Sequence, residues 1–534
     1  MPYPQITEYQ EAVQHPLQAF IDPELKQGTV AENSLGLPLV MSGGFALTYA
    51  VTTPRKKCAV RCFHREIPEV QQKYDAISKE LRAIRNGCFV DFDFQQSGIS
   101  VRQKVFPIVR MDWVEGDTLG IWLDKHFDDR RALAKAQADF ADIARFLARK
   151  GIAHGDLQNG NVMVTNGDIK LIDYDGMYVP GMRPGNGSET GHKHFQHPER
   201  RASDFGPAMD RFSFIALDLS LRALIADKSL YPKFREGGET IIFRANDFAD
   251  PPGSEIFRRL MAMPKLKDQA QSFAAVCAAP LAAVPTLDDF LAGRNLPTVQ
   301  RPITTSPAPQ AKPPRAPYIP AYPVVDALNF SAALQRVGDR VELIGRIVEV
   351  TQGSRKRGKG PARHYVFINF GSGRGNIVRI SIWSEGLAKL KERPSAAWVG
   401  RWVSVTGLME VQSKRQTSQH LSITLQDEGQ IQKIDEAEAG FRLASVVTSM
   451  PSSPKAPRAA RSGSAGPRRG ARSRAGAAAG KPASRQQPPA AASTPIVQQT
   501  APSPRRLRAR VPGWMQVLGA VVALLMLLVL LLMR

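Results

Sequence analysis

Acidic and amide side chains are concentrated in one short stretch of the chain, between His154 and Gly176. The segment HGDLQNGN carries Asp156 and Asn161, and the segment DYDG carries Asp173 soon after it. Carboxylate and amide oxygens are the ligands that hold magnesium ions beside phosphate groups, and a carboxylate can also orient a hydroxyl group for reaction. These residue types at this spacing could hold metal ions around a phosphate group, and the surrounding elements decide whether they do.

The sequence around these side chains predicts a loop between a helix and a β-hairpin. Before the loop, apolar residues recur at helical spacing up to a terminating Gly151, and they are Leu133, Phe140, Ile143 and Leu147. After the loop, the short β-type runs NVMV and IKLID are joined by the turn sequence TNGD. Asp156 and Asn161 are therefore predicted to lie on the loop, and Asp173 directly after the second strand.

This order of elements resembles the catalytic core of the protein kinase superfamily, through the pattern His-x-Asp-Leu-x-x-x-x-Asn, a hairpin and an Asp-Phe-Gly-like turn. The resemblance implies that Asp156 accepts the proton of the substrate hydroxyl. It also implies that Asn161 and Asp173 hold magnesium ions (Mg2+) that bridge the phosphates of ATP. The resemblance is closest to bacterial kinases of the HGDL…DYDG type and covers roughly residues 35–295.

Segments upstream resemble the nucleotide-binding parts of this family. VMSGGFALTYAV resembles the glycine-rich loop, so Gly43 and Gly44 are expected to let the backbone approach the phosphates. CAVR places Arg61 where such kinases carry the lysine of their third strand, and arginine differs from lysine in being bulkier and forked. The helix that follows is expected to offer a glutamate to Arg61, and Glu80 is the nearest by spacing. Two other glutamates remain open for this role, Glu66 and Glu69.

The segment IVRMDWVEGDTL resembles the hinge that joins the two lobes of a kinase. The resemblance makes Met111 the gatekeeper residue at the back of the nucleotide site. It places Asp112 to Val114 against the adenine ring.

Two downstream features distinguish protein kinases from related phosphotransferases. HFQHPER resembles the end of an activation segment through Pro198 and Glu199, and DRFSFIAL begins with Asp210, which resembles the aspartate that braces the catalytic loop. Small-molecule phosphotransferases generally lack both features, so a Ser/Thr protein kinase with a protein substrate is the favoured interpretation. A small-molecule phosphotransferase stays open. So does a nucleotide-binding pseudokinase scaffold, because Arg61 departs from the family pattern.

A second folded region is predicted at residues 324–436, after a proline-rich linker at 298–323. Five runs alternate as half-buried strands do, with a short helix after the third run, and this pattern resembles the OB-fold barrel. Three aromatic residues on the second and third runs could stack on nucleic-acid bases, and they are Tyr365, Phe367 and Trp383. Together with the basic turn TQGSRKRGKGPAR, they leave two kinds of partner open for this region: a single-stranded nucleic acid, and a protein or a membrane surface.

The end of the chain has a different composition. Residues 451–510 hold 13 Lys or Arg and no Asp or Glu, out of a formal net charge of +22 for the 534 residues. Because this stretch is rich in Ala, Pro, Ser and Gly, residues 437–510 are predicted to be disordered. The uncharged residues 511–533 are long enough for a membrane-spanning helix. Four arginines just before them predict a C-terminal anchor in the cell membrane, with the bulk of the chain in the cytoplasm.

The predicted fold class is α+β. Residues 1–297 are expected to form a two-lobed protein-kinase-like fold, followed by a small all-β OB-like barrel and one transmembrane helix. The four cysteines are too few and too scattered for a disulfide framework or a zinc site, and they fit a reducing compartment.

Overall fold

Three groups of elements succeed one another along the chain: an antiparallel sheet, a set of helices, and a strongly curved second sheet. The computed structural model describes residues 3–33, 36–42, 45–65, 69–235, 237–298, 317–355, 362–371, 375–415 and 418–448. All of these residues belong to one compact unit, Met1–Pro454. The described residues up to 298 are called the N-terminal module, and those from 317 to 448 the C-terminal module. The combination of helices and sheets makes this an α+β protein, as predicted.

The first sheet is antiparallel and consists of β1 (Thr29–Val30), β2 (Val40–Ser42), β3 (Ala46–Thr52), β4 (Lys57–Phe63), β5 (Phe92–Val101) and β6 (Lys104–Asp112). The strand order is β1-β3-β4-β6-β5, and β2 also pairs with β3. Four helices accompany the sheet, α1 (Ile6–Val13), α2 (Pro16–Ala19), α3 (Pro23–Lys26) and α4 (Val70–Ile84). Cys58 and Cys62 on β4 are buried in the apolar cluster that includes α1, as expected for small apolar side chains. Strand alternation therefore turns Arg61 to the opposite face.

The second group is mainly helical and begins with the short strand β7 (Asp117–Thr118). It contains α5 (Leu119–His126), α6 (Arg130–Lys150), β8 (Val162–Thr165), β9 (Asp168–Leu171), α7 (Arg211–Ala226), α8 (Leu230–Phe234), α9 (Ala245–Ala249), α10 (Glu255–Ala262), α11 (Lys267–Ala278) and α12 (Leu287–Leu291). One apolar core runs from β6 and α4 through α6 and α7 to α12. The two groups of the N-terminal module are thus joined by continuous packing.

The helix and hairpin that were predicted around the acidic loop are both present. The Asp129 side chain caps the start of α6 by accepting hydrogen bonds from the backbone of Arg131 and Ala132, and α6 ends at Gly151 in a left-handed conformation. Strands β8 and β9 pair in register, and Asn166 and Gly167 form their turn with positive φ at both positions. This turn leaves the chain ends of the hairpin side by side, next to the loop.

The third group forms most of the C-terminal module. It contains β10 (Val324–Asp326), α13 (Phe330–Gln335), β11 (Arg340–Arg346), β12 (Glu349–Arg355), β13 (Arg363–Asn369), β14 (Ile377–Trp383), α14 (Ser384–Lys389), β15 (Trp402–Arg415), β16 (Ser418–Leu425), β17 (Ile431–Ile434) and α15 (Glu436–Thr448). The strand order is β10-β11-β15-β16-β14-β13-β12, and β17 pairs with β15. β11 and β12 lie at the two ends of the strand order β11-β15-β16-β14-β13-β12, yet only two residues separate them in the chain. The sheet therefore closes on itself around an apolar core.

The boundaries of the C-terminal module differ from those predicted. Residues 317–323, which were predicted to be linker, are packed: the backbone oxygen of Pro317 accepts a hydrogen bond from Asn246, and the Tyr318 hydroxyl donates one to Glu342 at 2.8 Å. At the other end, α15 extends to Thr448, beyond the predicted boundary at 436. Its Arg442 is buried and pairs with Glu342 at 2.9 Å. An interior ion pair of this kind is not visible in local composition.

The C-terminal module contacts both parts of the N-terminal module. Leu408 on β15 is buried in the same apolar cluster as β3 and β4, and Gln426 donates a hydrogen bond to the backbone oxygen of Val40 at 3.2 Å. In the helical part, the backbone N–H of Gly238 donates to the oxygen of Gly429 at 2.6 Å. The second folded region predicted from the sequence is therefore docked on the first.

Within the described residues, no helix is long and apolar enough to cross a membrane. The predicted transmembrane helix at 511–533 lies outside the described residues, as does the predicted disordered stretch from 449 onward.

Candidate functional site

The loop that carries Asp156 is braced by a buried carboxylate at the start of α7. Asp210 accepts hydrogen bonds from the backbone N–H groups of His154 and Gly155, the second at 2.8 Å. Burial raises the pKa of Asp210, although these donors favour its ionised form. Gly155 has a positive φ of 85° and lies so close to the Gly176 backbone that a side chain would overlap with it. The contact expected of Asp210 from the sequence is therefore present.

The Asp156 carboxylate is held by three donors. Its Oδ1 accepts a hydrogen bond from the backbone N–H of His192 at 2.7 Å, and its Oδ2 accepts bonds from Gln158 at 3.1 Å and Asn161 at 2.8 Å. An ionised carboxylate offers about four acceptor positions, so one position remains unused by these three donors. The half-buried Asp156 is thus an oriented carboxylate with capacity for one more hydrogen bond.

The hairpin places Asn161 directly before β8 and Asp173 two residues after the end of β9. The backbone N–H of Ile172 donates to the backbone oxygen of Asn161 at 3.0 Å, which continues the β8–β9 pairing by one residue pair. The Asn161 amide nitrogen is directed at Asp156, and no described residue donates a hydrogen bond to its side-chain oxygen. Asp173 has a positive φ of 67°, which is costly for a residue with a side chain and often marks a functional position.

Asn161 and Asp173 are residue types that magnesium binds through oxygen. No group of three or more His, Cys, Asp and Glu suited to a metal occurs among the described residues. Magnesium usually takes only one or two protein carboxylates together with water and substrate phosphates. One carboxylate and one amide oxygen therefore suit an ion that arrives with a nucleotide.

Arg61 forms a forked ion pair with both carboxylates of the DYDG segment. Its Nη1 lies 2.7 Å from Oδ1 of Asp173, and its Nη2 lies 2.6 Å from Oδ2 of Asp175. Burial disfavours the charged form of both carboxylates. For Asp173, the charge of Arg61 outweighs burial and holds the pKa below its usual value. For Asp175, burial dominates and keeps the pKa above its usual value. The buried Nε of Arg61 has no hydrogen-bond partner among the described residues, so one donor of this cation is still unsatisfied.

The prediction that Glu80 pairs with Arg61 is not realised in this structure. Helix α4 instead presents Tyr74, whose hydroxyl donates a hydrogen bond to Asp175, and Lys73, which donates to the backbone oxygen of Asp175. Glu80 follows Lys73 by seven residues, which places it on the same flank but about 10 Å farther along the helix. Of the alternatives, Glu69 immediately precedes α4 with a positive φ of 53°, and Glu66 lies outside the described residues.

The predicted adenine segment begins at the end of β6 and continues into the turn before β7. Met111 is buried and lies opposite Ala59 of β4 and Phe92 of β5. Asp112 forms an ion pair with Lys56. The backbone of Val114 has no hydrogen-bond partner within the described part of the chain. The predicted phosphate-loop residues Gly43 and Gly44 lie outside the described residues.

The downstream marker Glu199 lies on the surface of the helical part. Its side chain is exposed and forms no ion pair within the described part of the chain, and only its backbone N–H donates to the ring of His197, at 3.2 Å. The nearby His192 is buried, and its ring lies 3.0 Å from Glu239. Sequence reasoning missed His192 and Glu239, because neither belongs to a motif and they meet across 47 positions of the chain.

The three aromatic residues predicted on the second sheet form one half-exposed cluster. The Tyr365 and Phe367 rings are 4.8 Å apart, and Trp383 lies edge-on to Phe367 at 5.7 Å. The Arg379 guanidinium lies 4.2 Å from the centre of the Phe367 ring. Their neighbours Val366, Ile368 and Ile382 point into the core, so these aromatic side chains lie on the outer face of the closed sheet.

Comparison with known proteins adds no family assignment, since no protein-family model matches the chain and no curated protein is significantly similar to it.

Proposed function

We propose that the protein is a magnesium-dependent phosphotransferase that uses ATP, with a protein-kinase-like N-terminal module and a protein Ser/Thr hydroxyl as acceptor. The observation that carries the proposal is the geometry around Asp156. Its carboxylate is oriented by three donors on a loop braced by Asp210, and Asn161 and Asp173 lie at the two chain ends of the adjoining hairpin. Phosphoryl transfer needs mainly such positioning and charge neutralisation.

Each part of the arrangement has a distinct task in this proposal. The free acceptor position on Asp156 takes the proton of the acceptor hydroxyl and directs its oxygen at the γ-phosphate. Asn161 and Asp173 would hold magnesium, which neutralises charge on the phosphates when it is bound. Met111 and the backbone at Val114 would contact the adenine. The Nε of Arg61 has no partner among the described residues but is buried, so a phosphate oxygen would reach it only if the side chains around it moved.

A nucleotide-binding pseudokinase scaffold is the second candidate, and the Arg61 ion pairs favour it. A guanidinium already shared between Asp173 and Asp175 has less capacity to steady phosphates than an unpaired lysine ammonium. A small-molecule phosphotransferase is the third candidate, because such enzymes also use a His-Gly-Asp loop followed by a second aspartate, which correspond here to Asp156 and Asp173. Asp210 still supports the protein kinase.

For the C-terminal module we infer an OB-fold that binds single-stranded nucleic acid on its outer aromatic face. The parallel pairing of β14 with β16 and the closure through β11 and β12 support this fold. The cluster of Tyr365, Phe367 and Trp383 beside Arg379 supports base stacking. A protein or an anionic membrane surface is the alternative ligand. Residues 511–533 would tether the whole assembly to the cell membrane as a C-terminal anchor.

The proposal is tested by incubating the full chain with γ-labelled ATP and magnesium and by following the label. Label that appears on serine or threonine, and disappears in Asp156→Asn, supports a protein kinase. The matched control is Asp168→Asn, which makes the same chemical change at an exposed aspartate of the hairpin. Label transferred only to an added small alcohol would favour the third candidate. ATP binding without any transfer would favour the scaffold.

A further inference from the structure

A short strip of the helical part, residues 237–239, lies between the C-terminal module and the loop that carries Asp156. Glu239 lies at the centre of a polar cluster, where Oε1 accepts a hydrogen bond from Arg340 at 2.8 Å. Oε2 lies 3.0 Å from the His192 ring nitrogen and accepts a hydrogen bond from the Tyr322 hydroxyl at 3.3 Å. Two of these three partners, Arg340 and Tyr322, come from the C-terminal module.

His192 links this cluster directly to Asp156. While its ring contacts Glu239, its backbone N–H donates to Oδ1 of Asp156 at 2.7 Å. The His192 side chain is only 2% exposed, and its ring packs edge-on against Tyr322 at 5.4 Å. A displacement of Glu239 would therefore move the ring of His192 and, with it, the N–H group that orients the acceptor carboxylate.

A second contact runs from the same strip to the same loop. The Asn159 side chain donates a hydrogen bond to the backbone oxygen of Gly238 and is buried. On its other side, Gly238 donates its N–H to the oxygen of Gly429 at 2.6 Å. Gly237 has a positive φ of 57°, and a side chain at this position would overlap with the Gly429 oxygen. The strip is thus held between the loop and the C-terminal module by backbone contacts that only glycine permits.

The charges in the cluster are matched across the two modules. Burial alone would raise the pKa of Glu239, but Arg340 and His192 hold it well below its usual value, so the carboxylate is ionised. The Arg340 guanidinium also lies 5.0 Å from the centre of the Tyr322 ring. Among the described residues, removal of Arg340 would leave the Glu239 carboxylate with two hydrogen-bond partners, His192 and Tyr322.

From these contacts we propose that Arg340 is a positioning residue for Asp156, acting through Glu239 and His192, so that the docked C-terminal module completes the acceptor side of the site. The inference rests on the proposed phosphotransferase function for its effect on transfer. Its structural part, the coupling of Arg340 to the His192 N–H, stands independently of that function.

The experiment uses the full chain and compares Arg340→Gln with Arg340→Lys. We expect Arg340→Gln to lower the rate of transfer from ATP by roughly tenfold to a hundredfold, as a small misplacement of a reacting group does. ATP affinity should stay unchanged, because Arg61, Met111 and Asp173 are not part of the Glu239 cluster. Arg340→Lys retains the charge and should recover part of the rate. Amide hydrogen exchange across residues 188–196 should accelerate in Arg340→Gln and less so in Arg340→Lys.

The matched control is Arg346→Gln, on the same strand, where the exposed arginine donates to the Gly400 oxygen within its own module. This variant should leave both transfer and exchange unchanged. Tyr322→Phe removes one hydroxyl from the cluster and serves as a milder variant if Arg340→Gln fails to fold. Unchanged exchange at 188–196 in folded Arg340→Gln, or an equal loss of ATP affinity and transfer, would overturn the proposal. If the wild-type chain transfers no phosphate, the proposed function fails, and the exchange measurement still decides this inference.

Discussion

The guanidinium of Arg61 and the carboxylate of Asp175 lie 2.6 Å apart, with their side chains only 6% and 3% exposed. The hydroxyl of Tyr74 on α4 donates to the other oxygen of the same carboxylate. The guanidinium of Arg61 on β4 is therefore linked to helix α4 through Asp175 and Tyr74, and no glutamate of α4 takes part. The second aspartate of DYDG thus has a structural role distinct from that of Asp173.

This arrangement changes what is expected of Arg61→Lys. Lysine is the residue that the resembled kinases carry at this position, but one ammonium cannot form the fork that serves Asp173 and Asp175 together. We expect Arg61→Ala to lower the free energy of unfolding by about 3–5 kcal/mol, because it leaves buried carboxylates unpaired. Arg61→Lys should lose a smaller amount and should not exceed wild-type transfer.

Denaturant unfolding of both variants measures the effect. Arg145→Ala is the matched control, since Arg145 also bridges two carboxylates, Asp142 and Asp288, but on the exposed surface. That variant should change stability little. An Arg61→Lys protein as stable as the wild type, with faster transfer, would show that the fork is dispensable.

Glu410 predicts a specific dependence of stability on pH. This half-buried residue of β15 has its pKa raised by burial to about 7, from an ordinary value of 4.5. Between these two values the folded protein binds the proton more tightly than the unfolded chain does. Stability should therefore fall as the pH rises from about 4.5 to 7, by at most about 3 kcal/mol, and this contribution should be constant above pH 7.

Glu410→Gln should remove this contribution and should be more stable than the wild type at pH 8. Unfolding curves at pH 5, 6, 7 and 8 provide the comparison, with the exposed Glu11→Gln as a control on α1. Parallel stability profiles for Glu410→Gln and the wild type would show that Glu410 does not titrate in this range.

The aromatic face of the C-terminal module predicts weak, salt-dependent binding of single-stranded nucleic acid. Phe367→Ala and Trp383→Ala should each weaken oligonucleotide binding by about 1–3 kcal/mol if a base stacks there. Replacing Arg355, Lys356, Arg357 and Lys359 together by Ala should flatten the salt dependence of the affinity. Fluorescence anisotropy at several salt concentrations measures both effects. Phe146→Ala, at a half-exposed aromatic residue of α6, should leave affinity unchanged. A wild-type chain that binds no oligonucleotide at low salt would exclude this ligand.

The uncharged segment at the end of the chain predicts that residues 500–534 direct a soluble reporter to the membrane fraction. The double substitution Leu525→Arg and Leu528→Arg should release both the reporter and the full chain, since each charge near the centre of a span costs about 2.5–3.5 kcal/mol on insertion. Leu507→Arg, just before the segment, should leave the localisation unchanged. A wild-type fusion recovered in the soluble fraction would refute the anchor.

Local patterns in the sequence predicted the elements that carry the site, because those elements depend on local interactions. The stripe of Leu133, Phe140, Ile143 and Leu147 and the turn at Asn166–Gly167 set α6 and the hairpin without distant partners. The partner of Arg61 was not predictable in the same way. It depends on how β4, α4 and the DYDG segment pack against one another. The helical spacing alone fits Glu80 as well as it fits Tyr74. The contacts of Tyr322 and Arg340 with Glu239 likewise depend on the docking of the two modules.

The most direct test of the site compares Asp156→Asn with Asp173→Ala in two assays on the same full-length proteins: ATP titration with and without magnesium, and transfer of labelled phosphate. We expect Asp156→Asn to bind ATP with magnesium as the wild type does and to lose transfer by roughly 10²- to 10⁴-fold, because only the proton acceptor is removed. Asp173→Ala should lose the magnesium-dependent part of ATP binding together with transfer. A wild-type protein whose ATP binding ignores magnesium, or whose transfer is unaffected by Asp156→Asn, would contradict the proposed roles of these residues.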